Sequence, residues 1–588
     1  MTDPQAQFQR AVQAQRAGDL VTAERLYSDV MRKTGAPLFN IHCNLAPLYL
    51  LQGDAGRGEK AARAALALRP NDANALNNLG LCLRAQAQLN EAAAAFRRAV
   101  EHAPAFAEAW SNLADVLRRQ DASIAAVHAA RRAVAADPAS YTAVEQALSV
   151  QTQFAVWDDM DSVIAAAQRA VAAGKPINPY CLFPVCLDPG EIQRAARNRA
   201  RYVANLAPRP PALPPRPSGE KIRLGYFSCT LRDHATGYLL RGMLERHDRN
   251  SFELAAYVYN EDRRQAGGPS GESGFTAALR RNFDRVIDLT DLATAEAAEA
   301  IRRDAPHVLF DIDGYANGGR PEIIASRCAP LQVAWLGYLG TMGAPFIDAI
   351  LADAYTIPPS LEGYYDERVI RLESGFFPGN GDREVSDRFA TRADAGLPAE
   401  GVVFAAFNRA TKLTPPILDA WVRILRRVPG SVLWLWTASD WASDNLLAQL
   451  LRRGLPRSRI VLAPSLPSPD HLCRYRFADL VLDCFPYNGH TMTSDALYCG
   501  RPVLTIEGRP FAARVAPSLL RRLKADALIA RDIDDYVARA VALARDDARR
   551  AALAEQIAAL APDKLFDMAQ FVRGFEKTIV DLVMEWGG

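Results

Sequence analysis

Residues able to hold and split a phosphorylated substrate gather in the C-terminal part of the chain. Between residues 478 and 505, ADLVLDCFPYNGHTMTSDALYCGRPVLT, an apolar strand (Leu480 to Leu482) runs into a turn carrying Pro486, Asn488 and Gly489. A helix start at Thr491 to Asp495 follows, then a second turn and strand from Gly500 to Thr505. Thr491, Thr493 and Ser494 can cap free backbone N–H groups at that helix start, whose dipole favours an anion. A nucleotide diphosphate would fit there. The same turn is also an ordinary helix cap, so its meaning rests on what positions it.

The elements around it alternate. From KIRLGYFSCT onward the chain reads strand, helix, strand through ATGYLLRGMLERH, FELAAYVYN, DRVIDLT, AEAAEAIRRDAP and HVLFDIDGY, with LQVAWLGYLG and FIDAILAD as further strands. After a polar stretch at residues 380–400 the alternation restarts with VVFAAFN, PPILDAWVRILRRV, SVLWLWT, DNLLAQLLRRG and RIVLAP. Such alternation implies parallel sheets covered by helices. Two Rossmann-like halves would leave a cleft between facing strand ends, which suits a nucleotide sugar.

The N-terminal part repeats instead. Pro70, Pro104 and Pro138 fall 34 residues apart, with Leu79-Gly80 then Ala92, Phe96 and Ala99 in one interval and Leu113-Ala114 then Ala126, Ala130 and Ala133 in the next. This is the tetratricopeptide period, and two weaker copies precede it. The expected organisation is residues 1–138 as about four tetratricopeptide repeats, and 139–217 as a helical connector ending in the proline-dense APRPPALPPRPSGE. Two Rossmann-like domains at 218–385 and 386–560 and a C-terminal helix at 561–588 follow. A stack of helix pairs offers a groove for a peptide or protein.

Length and composition agree with this. At 588 residues the chain exceeds one core, and Lys plus Arg 69 against Asp plus Glu 67 leaves a net charge of +2, which argues against nucleic-acid binding by bulk charge. Hydrophobic content is 49% with a mean hydropathy of -0.10, and no apolar run of about 18 residues could span a bilayer. The opening MTDPQAQFQRAVQ is polar, and the nine cysteines lack paired metal spacings. They are expected as reduced thiols in a cytoplasm, with no membrane and no nucleic acid as partners.

The block at 478–505 resembles the donor-binding motif of O-GlcNAc transferases and their Spindly-type O-fucosyltransferase relatives, and further stretches match in order over most of residues 218–545. RLGYFSCTLRDHATGYLL looks like the block carrying a histidine near the reaction centre, here His234. RRDAPHVLFDIDGYANGGRPEII matches the next, with Asp304 and His307 at equivalent positions. FAAFNRATKLTP resembles FNxxxKxxP, whose lysine, here Lys412, contacts the donor diphosphate. PSPDHL carries His471 at a position near the base, and YNGHTMTSD carries His490, Thr491 and Asp495 at positions for uracil, phosphate and ribose contacts.

The resemblance implies a tetratricopeptide superhelix followed by a GT-B glycosyltransferase that moves a sugar, GlcNAc by preference, from a UDP-sugar to Ser or Thr of proteins. It implies no metal and no cofactor beyond the donor. The physical reasons stand beside it. Charge builds on the leaving diphosphate, which an ammonium at Lys412 and the N–H groups at Thr491 would stabilise. Asp495 could accept from ribose hydroxyls. His234 could take the acceptor proton or only orient the sugar.

Asp304 and His307 complete the expected catalytic set with His234 and Lys412. The donor site is expected to comprise Arg409, Lys412, His471, Asn488, Gly489, His490, Thr491, Met492 and Asp495. The acidic strings at 311–313 and 532–535 are read as structural, not as metal ligands. Three positions depart from the family: Arg409 replaces a glutamine, Met492 a threonine and Ser468 a lysine. GDP-fucose as donor, a tetratricopeptide scaffold with an inactive transferase half, and a homodimer all stay open at this stage.

Overall fold

The computed structural model describes residues 3–35, 38–207, 221–259 and 273–587, so the proline-dense linker lies outside the described residues from position 208 on. The chain divides into two compact units, one holding Met1–Gln151, Asp159–Ala167 and Asp291–Thr294, the other Thr152–Asp158, Gln168–Thr290 and Ala295–Gly588.

In the first unit the 34-residue period builds helix pairs: α1 (Pro4–Arg16) with α2 (Leu20–Thr34), α3 (Phe39–Leu51) with α4 (Ala55–Leu68), α5 (Ala73–Ala85) with α6 (Leu89–His102), and α7 (Ala107–Arg119) with α8 (Ser123–Ala136). Asp19, Asp54 and Asp72 each cap a helix by accepting from an N–H three residues on, at 2.9–3.0 Å. The small residues are buried where helices cross. At Gly80 an added Cβ would lie 2.6 Å from the Phe96 ring, so α5 and α6 meet as closely as they do only because the position has no side chain.

The second unit carries two parallel sheets. Strands β1 (Ile222–Ser228), β2 (Phe252–Val258), β3 (Arg285–Asp288), β4 (Val308–Asp311), β5 (Leu331–Ala334), β6 (Ala349–Ala352) and β7 (Arg368–Arg371) lie in the order β3-β2-β1-β4-β5-β6-β7. Strands β8 (Val403–Phe407), β9 (Val432–Trp436), β10 (Ile460–Leu462), β11 (Leu480–Leu482), β12 (Val503–Ile506) and β13 (Ile529–Ala530) lie in the order β10-β9-β8-β11-β12-β13. Both orders reverse direction once, between the first strand and the fourth, which is the doubly wound plan. Apart from the outer strands β3, β7 and β10, the strands are mostly buried apolar runs, as a sheet covered on both faces requires. β7 and the two-residue β13 were not expected from the sequence. Among the described residues no helix is long and apolar enough to cross a membrane.

The C-terminal end differs from the single helix expected at 561–588. A helix at Asp547–Lys564 stops, and a second at Met568–Gly587 returns to the first sheet. There Phe575 packs 5.0 Å from Trp335 and 5.5 Å from Phe310 between ring centroids, and Glu576 Oε1 accepts from the Asp248 N–H at 2.8 Å. The segment read as a connector is also built in. Arg197 on the helix Pro189–Leu206 pairs with Asp366 at 2.6 Å, and Gln193 Nε2 donates to the same carboxylate at 2.7 Å.

Gly80 gives a test in which two effects oppose. Alanine gains about 1 kcal/mol in helix propensity, but overpacking costs about 1–3 kcal/mol. Gly80→Ala is expected to lower the urea midpoint of the repeat unit, measured by circular dichroism.

Candidate functional site

Both sheets present their functional loops where the strand order reverses, beyond the carboxyl ends of β1 and β4 in one and of β8 and β11 in the other. This is where doubly wound sheets bind ligands.

In the second sheet, β8 ends at Phe407 and leads through Asn408 and Arg409 into a short 3-10 turn, Ala410–Lys412. Lys412 Nζ donates to the Asn488 carbonyl at 2.6 Å and sits 4.1 Å over the centroid of the Tyr487 ring. Burial pulls its ammonium down to about 8, against the pull of the Asp483 carboxylate, which raises it. Asp483, at the end of β11, shapes the loop by accepting from Cys484 N (2.8 Å), Gly489 N (2.6 Å) and Thr505 Oγ1 (2.7 Å). An added Cβ at Gly489 would come within 2.8–3.1 Å of Thr493, Asp483 and Asn408 oxygens, so the turn tolerates no side chain there.

The helix after this loop runs Thr491–Tyr498 with His490 at its N-cap. The expected capping by Thr491, Thr493 and Ser494 is corrected. No side chain caps the helix, because Thr493 Oγ1 donates backward to the Gly489 carbonyl at 3.0 Å. The first-turn N–H groups therefore keep no side-chain acceptor of their own, which suits an incoming anion. Buried polar atoms without hydrogen-bond partners also gather here, namely Asn408 Oδ1, Asn488 Oδ1 and His471 Nε2.

Asp495, one turn into that helix, is paired. Arg383 Nη1 donates to its Oδ1 at 2.6 Å, and His471 Nε2 lies 3.6 Å from its Oδ2. Burial alone would raise the Asp495 carboxyl, but the His471 contact and the Arg383 charge together hold it below its usual range. His471 is itself pulled down by burial, and Arg474, one turn on, contacts its Nδ1 while lying 4.4 Å over Phe407.

In the first sheet, β1 leads to His234, the N-cap of the helix Ala235–Leu244. Its Nδ1 accepts from Thr236 N at 3.3 Å, which leaves the proton of the neutral ring on Nε2. Burial, and then the positive charge of Arg409, bring its imidazole down to about 4. Asp313, beyond β4, is held by Cys229 N (2.6 Å), Tyr259 OH (2.8 Å) and Thr230 Oγ1 (3.0 Å), and its charge also acts on His234.

The expected residues thus separate. His234, Arg409, Lys412, His490, Thr491, Met492, His471 and Asp495 lie on loops and helix starts at the carboxyl ends of the strands. Asn488 lies there too, but its amide is turned inward to the carbonyls of Cys484 and Ile506, so it offers Lys412 only its own carbonyl. Gly489 contributes backbone shape. Asp304 and His307 are not with them. They stand at the amino end of β4, where Asp304 accepts from Tyr257 OH at 2.6 Å and pairs with Arg285 at 2.9 Å, and His307 Nδ1 accepts from Arg223 N at 2.9 Å. These two residues fasten the strands' amino ends, opposite the ends that carry the other expected residues, so the expectation of a catalytic role for them is corrected.

Sequence reasoning missed Arg383, Asp483, Tyr487, Arg474 and Asp313. Arg474 had a usable signal, its spacing of three from His471 on one helix face. Arg383 had none, since it lies in the polar stretch between the two halves.

The description "Glycosyl transferase family 41" matches residues 210–387 and 380–575, and a tetratricopeptide repeat matches residues 73–106. Among curated relatives, a probable UDP-N-acetylglucosamine–peptide N-acetylglucosaminyltransferase SEC of Arabidopsis thaliana is 26% identical over 72% of this chain and 45% of its own length. The corresponding SPINDLY protein of Petunia hybrida is 30% identical over 61% of this chain and 38% of its own. The chain therefore spans less than half the length of these relatives. A solved O-GlcNAc transferase mutant of Thermobaculum terrenum is 28% identical, covers 93% of this chain and 98% of its own, and superposes with a TM-score of 0.69.

A histidine-selective NMR titration checks the His234 geometry. Its ring is expected to stay neutral from pH 8 down to about 4, and a midpoint near 6.5 would show an open, solvated imidazole.

Proposed function

The chain belongs to glycosyl transferase family 41, and from that premise we propose that it is a protein O-glycosyltransferase that moves GlcNAc from UDP-GlcNAc to Ser or Thr hydroxyls of protein acceptors. One observation carries the reading: an ammonium at Lys412 and the uncapped start of the helix Thr491–Tyr498 converge on one loop, beside a paired acid at Asp495. In transfer, the bond from the sugar's anomeric carbon to the β-phosphate oxygen breaks as the bond to the acceptor oxygen forms, negative charge collects on the leaving diphosphate, and the acceptor hydroxyl's proton passes to that diphosphate or to water. Lys412 and the helix N–H groups would meet that charge with positive ends already in place.

His234 is assigned a donating part. With Nδ1 engaged and its imidazole at about 4, it has no free lone pair for a proton at neutral pH, whereas its Nε2–H can hold a sugar or phosphate oxygen. Of the two roles open in the sequence, orientation is the one this geometry favours. Asp495 with Arg383 and His471 would hold the ribose, and His490 and His471 the base side of the pocket. The helix pairs of the first unit would take the acceptor protein. The nine cysteines are all free, in keeping with a reducing cytoplasm as the place of action.

Incubation with UDP-GlcNAc, UDP-glucose and GDP-fucose, followed by release of free nucleotide, tests the donor. UDP-GlcNAc is expected to be turned over best, and silence with all three would favour a scaffold. Lys412→Ala is expected to lower turnover by at least about 100-fold, as loss of one charge-stabilising group does, and unchanged turnover would remove Lys412 from the mechanism. The wild-type rate is expected to fall as pH rises through about 8, since the ammonium form carries the effect and is lost there.

A further inference from the structure

The turn Asn178–Phe183 precedes both sheets in the chain, yet it packs against loops of each. Asn178 accepts from Tyr180 N at 3.0 Å to start the 3-10 turn Pro179–Leu182, and its Nδ2 donates to the Tyr315 carbonyl at 3.0 Å. Phe183 is buried, with its ring 5.3 Å from Tyr338 of the first sheet's loops and 5.7 Å from Tyr487 of the second's. Tyr180 lies 6.5 Å from Tyr487, and both contacts on Tyr487 are edge-on, at 84° and 85°. Room for Phe183 is kept by Gly340, where an added Cβ would stand 3.1 Å from the Phe183 ring.

We propose that Tyr180 and Phe183 are positioning residues for the transfer site, holding the Tyr487 ring in the orientation at which its face carries the Lys412 ammonium. This rests on the reading of Lys412 given above. The physical reason is that a cation over a ring gains most when the ring is fixed and water is excluded. Two edge-on neighbours fix the plane of Tyr487, and Phe183, itself buried, sets apolar surface against the ring that carries Nζ. Lys412 faces Arg409 on its own loop and Asp483, Cys484, Tyr487 and His490 on the loop after β11, with Tyr180 behind Tyr487. None of these charges changes when Phe183 is altered, so the effect of the wall on Lys412 can be isolated.

The test uses the full chain with Phe183→Ala, Phe183→Leu and Tyr180→Phe, with Lys412→Ala as reference. Among the eight lysines, Lys412 is followed by NMR of 13C-labelled lysine across pH, alongside kcat and KM for UDP-GlcNAc and a thermal melt. With Phe183→Ala the Lys412 titration is expected to move up by about one pH unit as water enters, the alkaline limb of kcat/KM to move with it, and kcat at neutral pH to fall about tenfold. Phe183→Leu, which keeps most of the volume, should show the same direction to a smaller extent and serves if the alanine variant does not fold. Tyr180→Phe, which keeps the ring edge but removes the hydroxyl that bonds to Tyr487, should move the Lys412 titration less than Phe183→Ala does. A folded Phe183 variant whose Lys412 titration and alkaline limb are unmoved would overturn the proposal. The NMR readout needs no donor sugar, so a wall that fails is told apart from a transfer reading that fails, in which Lys412→Ala would leave turnover unchanged while the wild-type-to-Phe183→Ala titration shift is still seen.

Discussion

A lysine ammonium taken out of water is the constraint around which the second sheet's loops are arranged. Burying a lone charge costs several kcal/mol unless it is compensated. Here the compensation is partial: one carbonyl at 2.6 Å, one aromatic face at 4.1 Å and the nearby Asp483 carboxylate. Burial draws the lysine's pKa down to about 8, the direction expected of a charge that is only partly compensated. A diphosphate would supply the missing negative charge, so the same desolvation that weakens the free ammonium strengthens its attraction for an anion in a medium of low dielectric. Full compensation by a neighbouring carboxylate would have made a more stable loop and a poorer anion site.

Asp483 holds that balance. Three donors, two of them backbone N–H groups of its own loop, keep its carboxylate turned into the turn. It therefore fixes the path from β11 to the helix at Thr491 while staying only a neighbour of Lys412. The same path sets the helix start in register with the loop after β8, because β8 and β11 are adjacent strands. Site geometry here follows from strand order, and the first sheet repeats the device with His234 after β1 and Asp313 after β4.

Much of this was legible in the residues. Alternating apolar runs located the long strands, and the 34-residue period located the helix pairs, because both patterns are dictated by burial. β7 and β13 were not legible: four and two residues, both on sheet edges and the first with Arg368 exposed, carry too little apolar pattern. Motif position picked out Lys412 and Asp495, which the fold brings to the carboxyl ends of the strands, but it could not tell which end of a strand a residue serves. His307 and Asp311 are four positions apart, yet His307 immediately precedes the short strand β4 and Asp311 ends it. Nor could spacing show that Asn488 turns its amide inward, since that depends on which carbonyls the folded loop leaves unfilled.

Arg383 shows how the segment between the two halves is apportioned. Its guanidinium is committed to Asp495 at 2.6 Å, its backbone N–H donates to Tyr498 OH at 3.3 Å, and that hydroxyl donates on to carbonyls of the same segment at 2.9–3.1 Å. Separating Arg383 from Asp495 would strand a carboxylate among buried groups, a loss of about 3–5 kcal/mol for a broken buried pair. Gly381 and Arg383 are thus tied to the second sheet's helix through Asp495 and Tyr498. An acid that would otherwise repel a diphosphate is neutralised by a residue outside both nucleotide folds. Asp495 keeps its charge partner only while this segment is seated, so the segment is built into the loops around that helix and is not a passive link.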